Sequence, residues 1–161
     1  MSDLSKMSVE ELVGLHADIM RALRRREVLR SGANLTAELA RFLFCAAYGW
    51  QAAPRRERGY SAVGAEDMRY LIRGRRLHWY SPSRQLSAIP DVGKFDGLAA
   101  VLLDDGYRVL RAALIPHAVV LEWCSFIRGT NSCRFTLSDE VWRDARVADA
   151  TGRLRTVEST G

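Results

Sequence analysis

Lysine is almost absent from this chain, and cysteine is scarce. Only two of the 24 basic residues are lysines, and the three cysteines, Cys45, Cys124 and Cys133, contain no CxxC pair. An odd number of cysteines without metal-ligand spacing indicates reduced thiols that pack in the interior, rather than disulfides or a zinc site. No apolar run approaches the ~20 residues that cross a bilayer, so we expect no membrane span and no membrane partner.

Other familiar signatures are missing as well. The N-terminus has no basic region followed by an apolar run, so we expect no secretory signal and a cytoplasmic protein. The sequence has no GxGxxG, GxxxxGK or GxSxG pattern, which argues against dinucleotide, ATP and serine-hydrolase sites. Its three histidines, His16, His78 and His117, have no companion at metal-ligand spacing. We therefore expect no cofactor.

Positive charge is concentrated in one segment, residues 52–84. This segment holds eight arginines against three acidic residues, which accounts for the whole net charge of +5. A polyanion would be steered to this segment, and the guanidinium fork matches a phosphate group well. We predict that the nucleic-acid-binding residues are Arg55, Arg56, Arg58, Arg73, Arg75, Arg76 and Arg84.

Hydrophobic spacing predicts two helices before any strand. Ser8 to Glu11 is a capping box, and Leu12, Leu15 and Ile19 then repeat on one helical face. We interpret the arginines at the end of this helix, Arg21, Arg24, Arg25 and Arg26, as a solvated helix terminus in preference to a nucleic-acid contact. A second amphipathic helix begins after Asn34 and ends near Gly49.

The rest of the sequence predicts a sheet with one helix packed on it. The stretch from Gln51 to Arg58 is polar and should be a loop. The predicted later elements are strands at 60–65, 68–74, 98–103, 107–115 and 133–137, a helix that starts at Pro116 and a short helix after Ser138. We expect an α/β (α+β) fold: a single domain over residues 1–156 with a mixed four- to five-stranded sheet, and a disordered tail at 157–161.

Three segments carry a resemblance to a known superfamily. NLTAE (34–38), GYSA (59–62) and YLIRGRR (70–76) resemble motif positions of PD-(D/E)XK restriction-endonuclease-like domains. The segments SRQLSAI (83–89), 95–120, GTNSCRF (129–135) and DATGRLR (149–155) are similar to a small bacterial family of such proteins. The resemblance covers nearly the whole chain and implies a restriction-endonuclease-like core.

The chain departs from the superfamily's catalytic pattern. The resemblance implies that Glu38 stands at the helix glutamate, but Ser61 replaces the strand aspartate, Leu71 the oxygen-bearing Q/E residue and Arg73 the lysine. In the superfamily these positions hold Mg²⁺ and position or deprotonate the attacking water. Leucine offers a cation no ligand and arginine cannot act as a base, so we expect hydrolysis to be lost or very weak.

Binding can survive where cleavage does not. Arg73 becomes a permanently charged phosphate donor, and Arg75 follows it on the same strand face. Trp79 and Tyr80 offer surfaces on which bases could stack, although we favour a packing role for Trp79. We therefore predict a pseudo-nuclease with little or no enzymatic activity that binds nucleic acid, DNA in preference to RNA.

Two other functions stay open. The first is a Mg²⁺-dependent endonuclease with a rearranged site that uses Glu38, Glu66 or Asp67, the only candidate metal ligands. The second is an interaction protein, in which a degraded nuclease fold inhibits or assembles with a protein partner in host defence or its countermeasures. A homodimer is also compatible with the resemblance, because many proteins of this fold are two-fold dimers.

Overall fold

Five helices and eight strands follow one another in the computed structural model, which describes residues 3–30 and 34–160. The helices are α1 Val9–Arg25, α2 Leu35–Tyr48, α3 His117–Trp123, α4 Asp139–Arg143 and α5 Thr151–Thr160. The strands are β1 Gln51–Ala52, β2 Ala62–Val63, β3 Arg69–Arg76, β4 Gly97–Leu103, β5 Val109–Pro116, β6 Ser125–Phe126, β7 Cys133–Arg134 and β8 Ala148–Asp149. Within those described ranges, none of the helices combines the length and the apolar character that a bilayer crossing requires.

The central sheet is mixed, as the sequence predicts. Six strands lie in the order β1-β2-β3-β4-β5-β8, and only the β3–β4 pair is parallel. Three of the six, β1, β2 and β8, have two residues each. β1 and β8 are too short to show an alternating pattern, which explains why the sequence suggests four or five strands. β1 lies at the start of the stretch that was expected to be a loop.

The helix boundaries follow from local hydrogen bonds. At the start of α1, the Glu11 backbone N–H donates to Ser8 Oγ at 3.2 Å, and the Ser8 N–H donates to Glu11 Oε2 at 2.7 Å. The Asn34 side chain accepts from the Ala37 N–H and caps α2. Gly49 ends α2 in a left-handed conformation with φ of +68°, which glycine adopts without strain. The predicted capping box and both helix starts are confirmed.

Apolar side chains bury both faces of this single domain's sheet. One face packs against α2 and α5 through residues such as Phe44 and Leu154. The other face is covered by α3, α4 and the loops before β4 and after β7, with Ile89 and Phe135 fully buried. All seven residues of β4 are buried, which confirms the prediction that this strand is central.

Two expectations about the second half of the chain are wrong. Cys124 and Cys133 form a disulfide, because the β6–β7 hairpin turns the chain back on itself; Cys45 remains a free thiol. The tail that was expected to be disordered is the last turn of α5 through residue 160. The Glu158 carboxylate anchors this turn by accepting from the Val109 backbone N–H at 3.1 Å. Residue 161 lies outside the described part of the chain.

Candidate nucleic-acid interface

Glu38, Ser61 and Arg73 line one cleft of about 350 Å³, although they come from three different elements. We call it the arginine cleft. Its lining residues are Arg30, Ala37, Glu38, Arg41, Ala53, Pro54, Arg55, Glu57, Arg58, Tyr60, Ser61, Ile72 and Arg73. Five arginines therefore meet two glutamates here. The structure brings together the three positions that the resemblance singles out.

A close contact between α2 and β3 creates this convergence. A Cβ atom on Gly74 would lie 3.0 Å from the Ala40 Cβ and 3.3 Å from the Thr36 carbonyl oxygen. Such distances are tighter than ordinary van der Waals contact, so glycine lets the helix approach the strand. The close approach brings α2, which carries Glu38, next to β3, which carries Arg73, and both residues line the cleft.

The two oxygen-bearing side chains at the motif positions are already engaged within the protein. The Glu38 carboxylate accepts from the Arg30 backbone N–H, and its Oε2 lies 3.5 Å from an Arg41 guanidinium nitrogen. The Ser61 hydroxyl oxygen accepts from the Ile72 backbone N–H at 2.9 Å. Ser61 therefore supplies one bond of the β2–β3 hairpin with its side chain, and both oxygens stabilise the walls of the cleft.

The cleft has two carboxylates, and both already accept hydrogen bonds within the protein: Glu38 from Arg30, and Glu57 from the Gly59 backbone N–H at 2.8 Å. Mg²⁺ favours carboxylate oxygens in near-octahedral geometry. Leu71 is 2% exposed and belongs to the core, while Glu66 and Asp67 are exposed at the tip of the β2–β3 hairpin and do not line the cleft. In residues 3–30 and 34–160, no three His, Cys, Asp or Glu side chains lie close enough together to hold a metal ion.

Arg73 is a largely buried cation with no carboxylate partner among the described residues. Its Nη1 donates to the Ile72 carbonyl at 3.3 Å and its Nη2 to the Ala88 carbonyl at 3.4 Å, whereas its buried Nε has no partner in that part of the chain. Burial lowers the pKa of the Arg73 guanidinium from its usual value. An anion in the cleft would relieve the cost of holding this charge away from water.

Two further cleft arginines, Arg30 and Arg41, lie outside the basic segment that the sequence identifies. Arg30 Nη1 donates to the Ala53 carbonyl at 2.7 Å, and Arg41 Nη2 donates to the Val28 carbonyl at 3.1 Å. Burial lowers the pKa of Arg30, and the neighbouring charge of Arg41 adds to the effect. The three-residue spacing of Arg41 from Glu38 on α2 was the one available signal that it shares this site.

The arginines predicted from the sequence divide into three groups. Arg55, Arg58 and Arg73 line the arginine cleft, and Arg73 also lines a neighbouring cleft of similar volume together with Arg75 and Arg76. We call this second cleft the side cleft; it is lined by Asn34, Thr36, Ala37, Ile72, Arg73, Gly74, Arg75, Arg76, His78, Ser81 and Ser87. Arg56 is exposed and lines neither cleft.

Two of these arginines pair with carboxylates, whereas Arg55, Arg73 and Arg75 donate only to backbone carbonyls among the described residues. Arg76 donates to Asp105 and lies over the Tyr107 ring at 4.1 Å, and Arg84 donates to Asp139 at 2.8 Å. Arg84 lines neither cleft. Because each already has a carboxylate partner, both are weaker candidates for phosphate contacts than Arg73.

Trp79 does not pack in the core, contrary to our expectation. It is 91% exposed and Tyr80 is 66% exposed, because they occupy the centre of a turn that projects from the end of β3. The turn is closed by hydrogen bonds between His78 and Ser81, whose side chains also line the side cleft. Tyr80 stacks on the His78 ring at 4.8 Å, and the Trp79 ring touches Tyr80 edge-to-face at 5.5 Å while the rest of its surface stays open to solvent.

No protein-family model matches the chain, and no curated protein matches it at a significant level. The resemblance to PD-(D/E)XK domains therefore remains a prediction from the residues quoted above. The chemistry that the site itself offers is the binding of an anion. Its arginines outnumber its glutamates by five to two, and one of those glutamates is already engaged by Arg30 and Arg41.

Proposed function

We propose that this protein binds DNA through the arginine cleft and hydrolyses it weakly or not at all. The observation that carries the proposal is Arg73, a largely buried guanidinium without a carboxylate partner among the described residues, at the centre of a cleft lined by four other arginines. A phosphodiester would provide the missing counter-charge, and a guanidinium can bind it through two parallel hydrogen bonds.

The proposed binding mode is contact with the phosphate backbone. Arg55 and Arg58 are exposed at the mouth of the arginine cleft, whereas Arg73 lies deeper. Exposed arginines bind phosphates with little dependence on base sequence and release counterions when they do so. We therefore expect binding that is largely independent of sequence and strongly weakened by salt. The sequence leads us to expect the protein in the cytoplasm, and nucleic acid is available there as the ligand.

The absence of strong hydrolysis is proposed from the chemistry of the motif positions. Arg73 stands at the position of the superfamily's lysine and cannot take a proton from water at any physiological pH. Ser61 uses its hydroxyl oxygen as an acceptor for Ile72, and Leu71 lies in the core. This set of side chains offers neither a general base nor a divalent-cation site of the kind that phosphodiester hydrolysis requires.

The salt dependence of duplex affinity tests the proposal directly. The slope of log affinity against log salt concentration is expected to flatten by about 1 for each of Arg55→Gln and Arg58→Gln, because each loses one phosphate contact. Fluorescence anisotropy with a labelled duplex measures this slope. Arg143→Gln is the matched control, since Arg143 is exposed on α4 and lines neither cleft.

Two results would contradict this function. If the wild-type protein fails to bind duplex DNA even at low salt, the DNA-binding proposal is wrong. If plasmid DNA is cleaved in the presence of Mg²⁺ or Mn²⁺ and Glu38→Ala abolishes the cleavage, the protein is an endonuclease with a rearranged site.

Trp79 is expected to contribute to the binding of single-stranded DNA by stacking on an exposed base. Trp79→Ala should lower the affinity for an oligothymidine about tenfold, whereas Trp79→Phe should retain most of it, because stacking on an aromatic ring contributes about 1–3 kcal/mol per base. Anisotropy titrations with a labelled oligonucleotide measure the effect. Trp123→Ala is the control, since Trp123 is 45% exposed on α3 and lines neither cleft. Equal affinities for Trp79→Ala and wild type would exclude the stacking role.

A further inference from the structure

The first helix exposes its apolar side. None of the 17 residues of α1 is buried, and the exposed large apolar residues of this side are Val9 at 78%, Ile19 at 50% and Leu12 at 37%. A surface helix of a globular protein normally turns such a face to the core. Among residues 3–30 and 34–160, therefore, nothing buries the apolar face of α1.

The apolar residues of α1 form one continuous face. At 100° per residue, Leu12, Leu15 and Ile19 lie at the centre of this face, and Val9 and Leu23 lie on one side of it. The face covers about half of the helix circumference. Leu12 and Leu15 are three residues apart, and Leu15 and Ile19 are four apart. This alternation is the pattern of helices that pair with one another.

Charged residues flank this face in a pattern that specifies an orientation. Glu11 and Arg25 lie along one edge of the face, and Glu10 and Arg24 lie along the opposite, polar side. In each pair the acidic residue lies near the N-terminus of α1 and the basic residue near its C-terminus. The two members are fourteen residues, or two heptads, apart. In the part of the chain that the structure describes, no ion pair joins Arg24 or Arg25 to an acidic side chain.

We propose that α1 pairs with α1 of a second copy of this chain in antiparallel orientation. That arrangement places Glu11 of each copy beside Arg25 of the other, along the edge of the shared apolar seam. A parallel arrangement would place like charges at the same level along the helices, and like charges repel. The charge pattern of α1 therefore complements itself only when the second helix is reversed.

An apolar groove lies at the end of α1 where the second helix would begin. The groove has a volume of about 500 Å³, and its apolar lining includes Leu23, Val28, Leu39, Phe42 and Val157. Antiparallel pairing brings the first turns of the second copy to this end. Those turns carry two exposed apolar side chains, Leu4 and Val9, that the groove can receive.

The dimer is expected to be weak. A 17-residue helix is about 26 Å long, so one helix pair buries less than the roughly 800 Å² per partner of a standard interface. We expect a dissociation constant on the order of 10 µM. This interface is separate from the arginine cleft, so the dimer does not depend on the proposed DNA binding.

A charge-swap experiment tests the orientation. Glu11→Arg and Arg25→Glu are each expected to raise the dissociation constant of the dimer about tenfold, since each opposes like charges. The double variant Glu11→Arg/Arg25→Glu restores opposite charges and should return the constant to within about threefold of wild type, which loss of the Glu11 helix cap alone would not do. Sedimentation equilibrium at low salt measures all four proteins. If the two single effects add up in the double variant, antiparallel pairing is overturned.

The apolar seam is tested with a matched pair of glutamate substitutions. Ile19→Glu is expected to give a monomer at all concentrations up to about 500 µM, whereas Gly14→Glu, on the polar side of α1, should leave the dimer intact. Both variants should fold, because α1 has no buried residue and a side chain at Gly14 meets nothing within 4 Å. A circular dichroism spectrum and melting temperature like those of wild type verify this.

Two results would overturn the proposal. One is a wild-type protein that stays monomeric over the same concentration range; if this monomer binds vesicles of anionic lipid, the helix face is instead a membrane-binding surface. The other is a dimer that persists in Ile19→Glu, because such a dimer must form through another surface.

Discussion

Replacing Arg73 by methionine is expected to weaken duplex DNA binding about 30-fold and to raise the free energy of unfolding by about 1 kcal/mol. The two effects have one cause. The guanidinium is largely buried, its Nε has no partner among the described residues, and burial lowers its pKa. The Arg73 charge destabilises the free protein, and a bound phosphate would compensate it. Removing the charge should therefore stabilise the free protein and weaken its binding to DNA.

Arg76→Met and Arg84→Met are the controls that separate this explanation from a general effect of removing positive charge. Arg76 is paired with Asp105 and Tyr107, and Arg84 with Asp139, so neither loss should stabilise the protein. Arg84→Met should also leave DNA affinity within about threefold of wild type, since Arg84 lines neither cleft. Urea denaturation and anisotropy measure the two quantities. A less stable Arg73→Met protein with unchanged affinity would show that Arg73 is only structural.

Local rules account for the parts of the fold that the sequence predicts correctly. The capping box at Ser8 and the helix end at Gly49 depend on hydrogen bonds within one turn of helix, which the residue types alone indicate. The buried strand at 97–103 is recognisable because every one of its residues is apolar or glycine. The two-residue strands β1 and β8 depend on pairing with distant partners, so no local pattern could reveal them.

The candidate site was predictable only where the sequence concentrates charge. Arg55, Arg58 and Arg73 belong to the basic segment and do line the arginine cleft. Arg30 and Arg41 join them only because a long-range contact, that of α2 with β3 at Gly74, brings distant parts of the chain together. Tertiary contacts of this kind cannot be predicted from the charges of one segment.

The solvent exposure of individual side chains could not be predicted from the sequence either. Trp79 follows a strand, where aromatic residues usually pack, yet the tight turn between His78 and Ser81 directs it into solvent. The same limit applies to α1, since a pattern of apolar residues predicts that a face will be buried but does not identify the surface that buries it. In both cases the surroundings of the side chain, rather than its type, decide its exposure.

Introducing at position 71 the oxygen donor that the resemblance to PD-(D/E)XK domains would place there is expected to unfold the protein rather than create a metal site. Leu71→Glu should lower the free energy of unfolding by about 4 kcal/mol or more, because it removes a core leucine and buries a carboxylate without a partner. Leu71 is 2% exposed and lies in the same apolar cluster as Leu86, Ile89 and Phe135. Urea denaturation followed by tryptophan fluorescence measures the loss.

Leu71→Met separates the effect of charge from that of shape, since a swap of similar volume should lower the free energy of unfolding by less than about 1.5 kcal/mol. The contrary outcome is equally specific. If Leu71→Glu folds with nearly wild-type stability and Mg²⁺ raises its melting temperature, then position 71 faces the cleft and a cation can be held there. A large loss of stability that Mg²⁺ does not reverse would instead mean that this position belongs to the core, so that a single substitution there cannot supply a metal ligand.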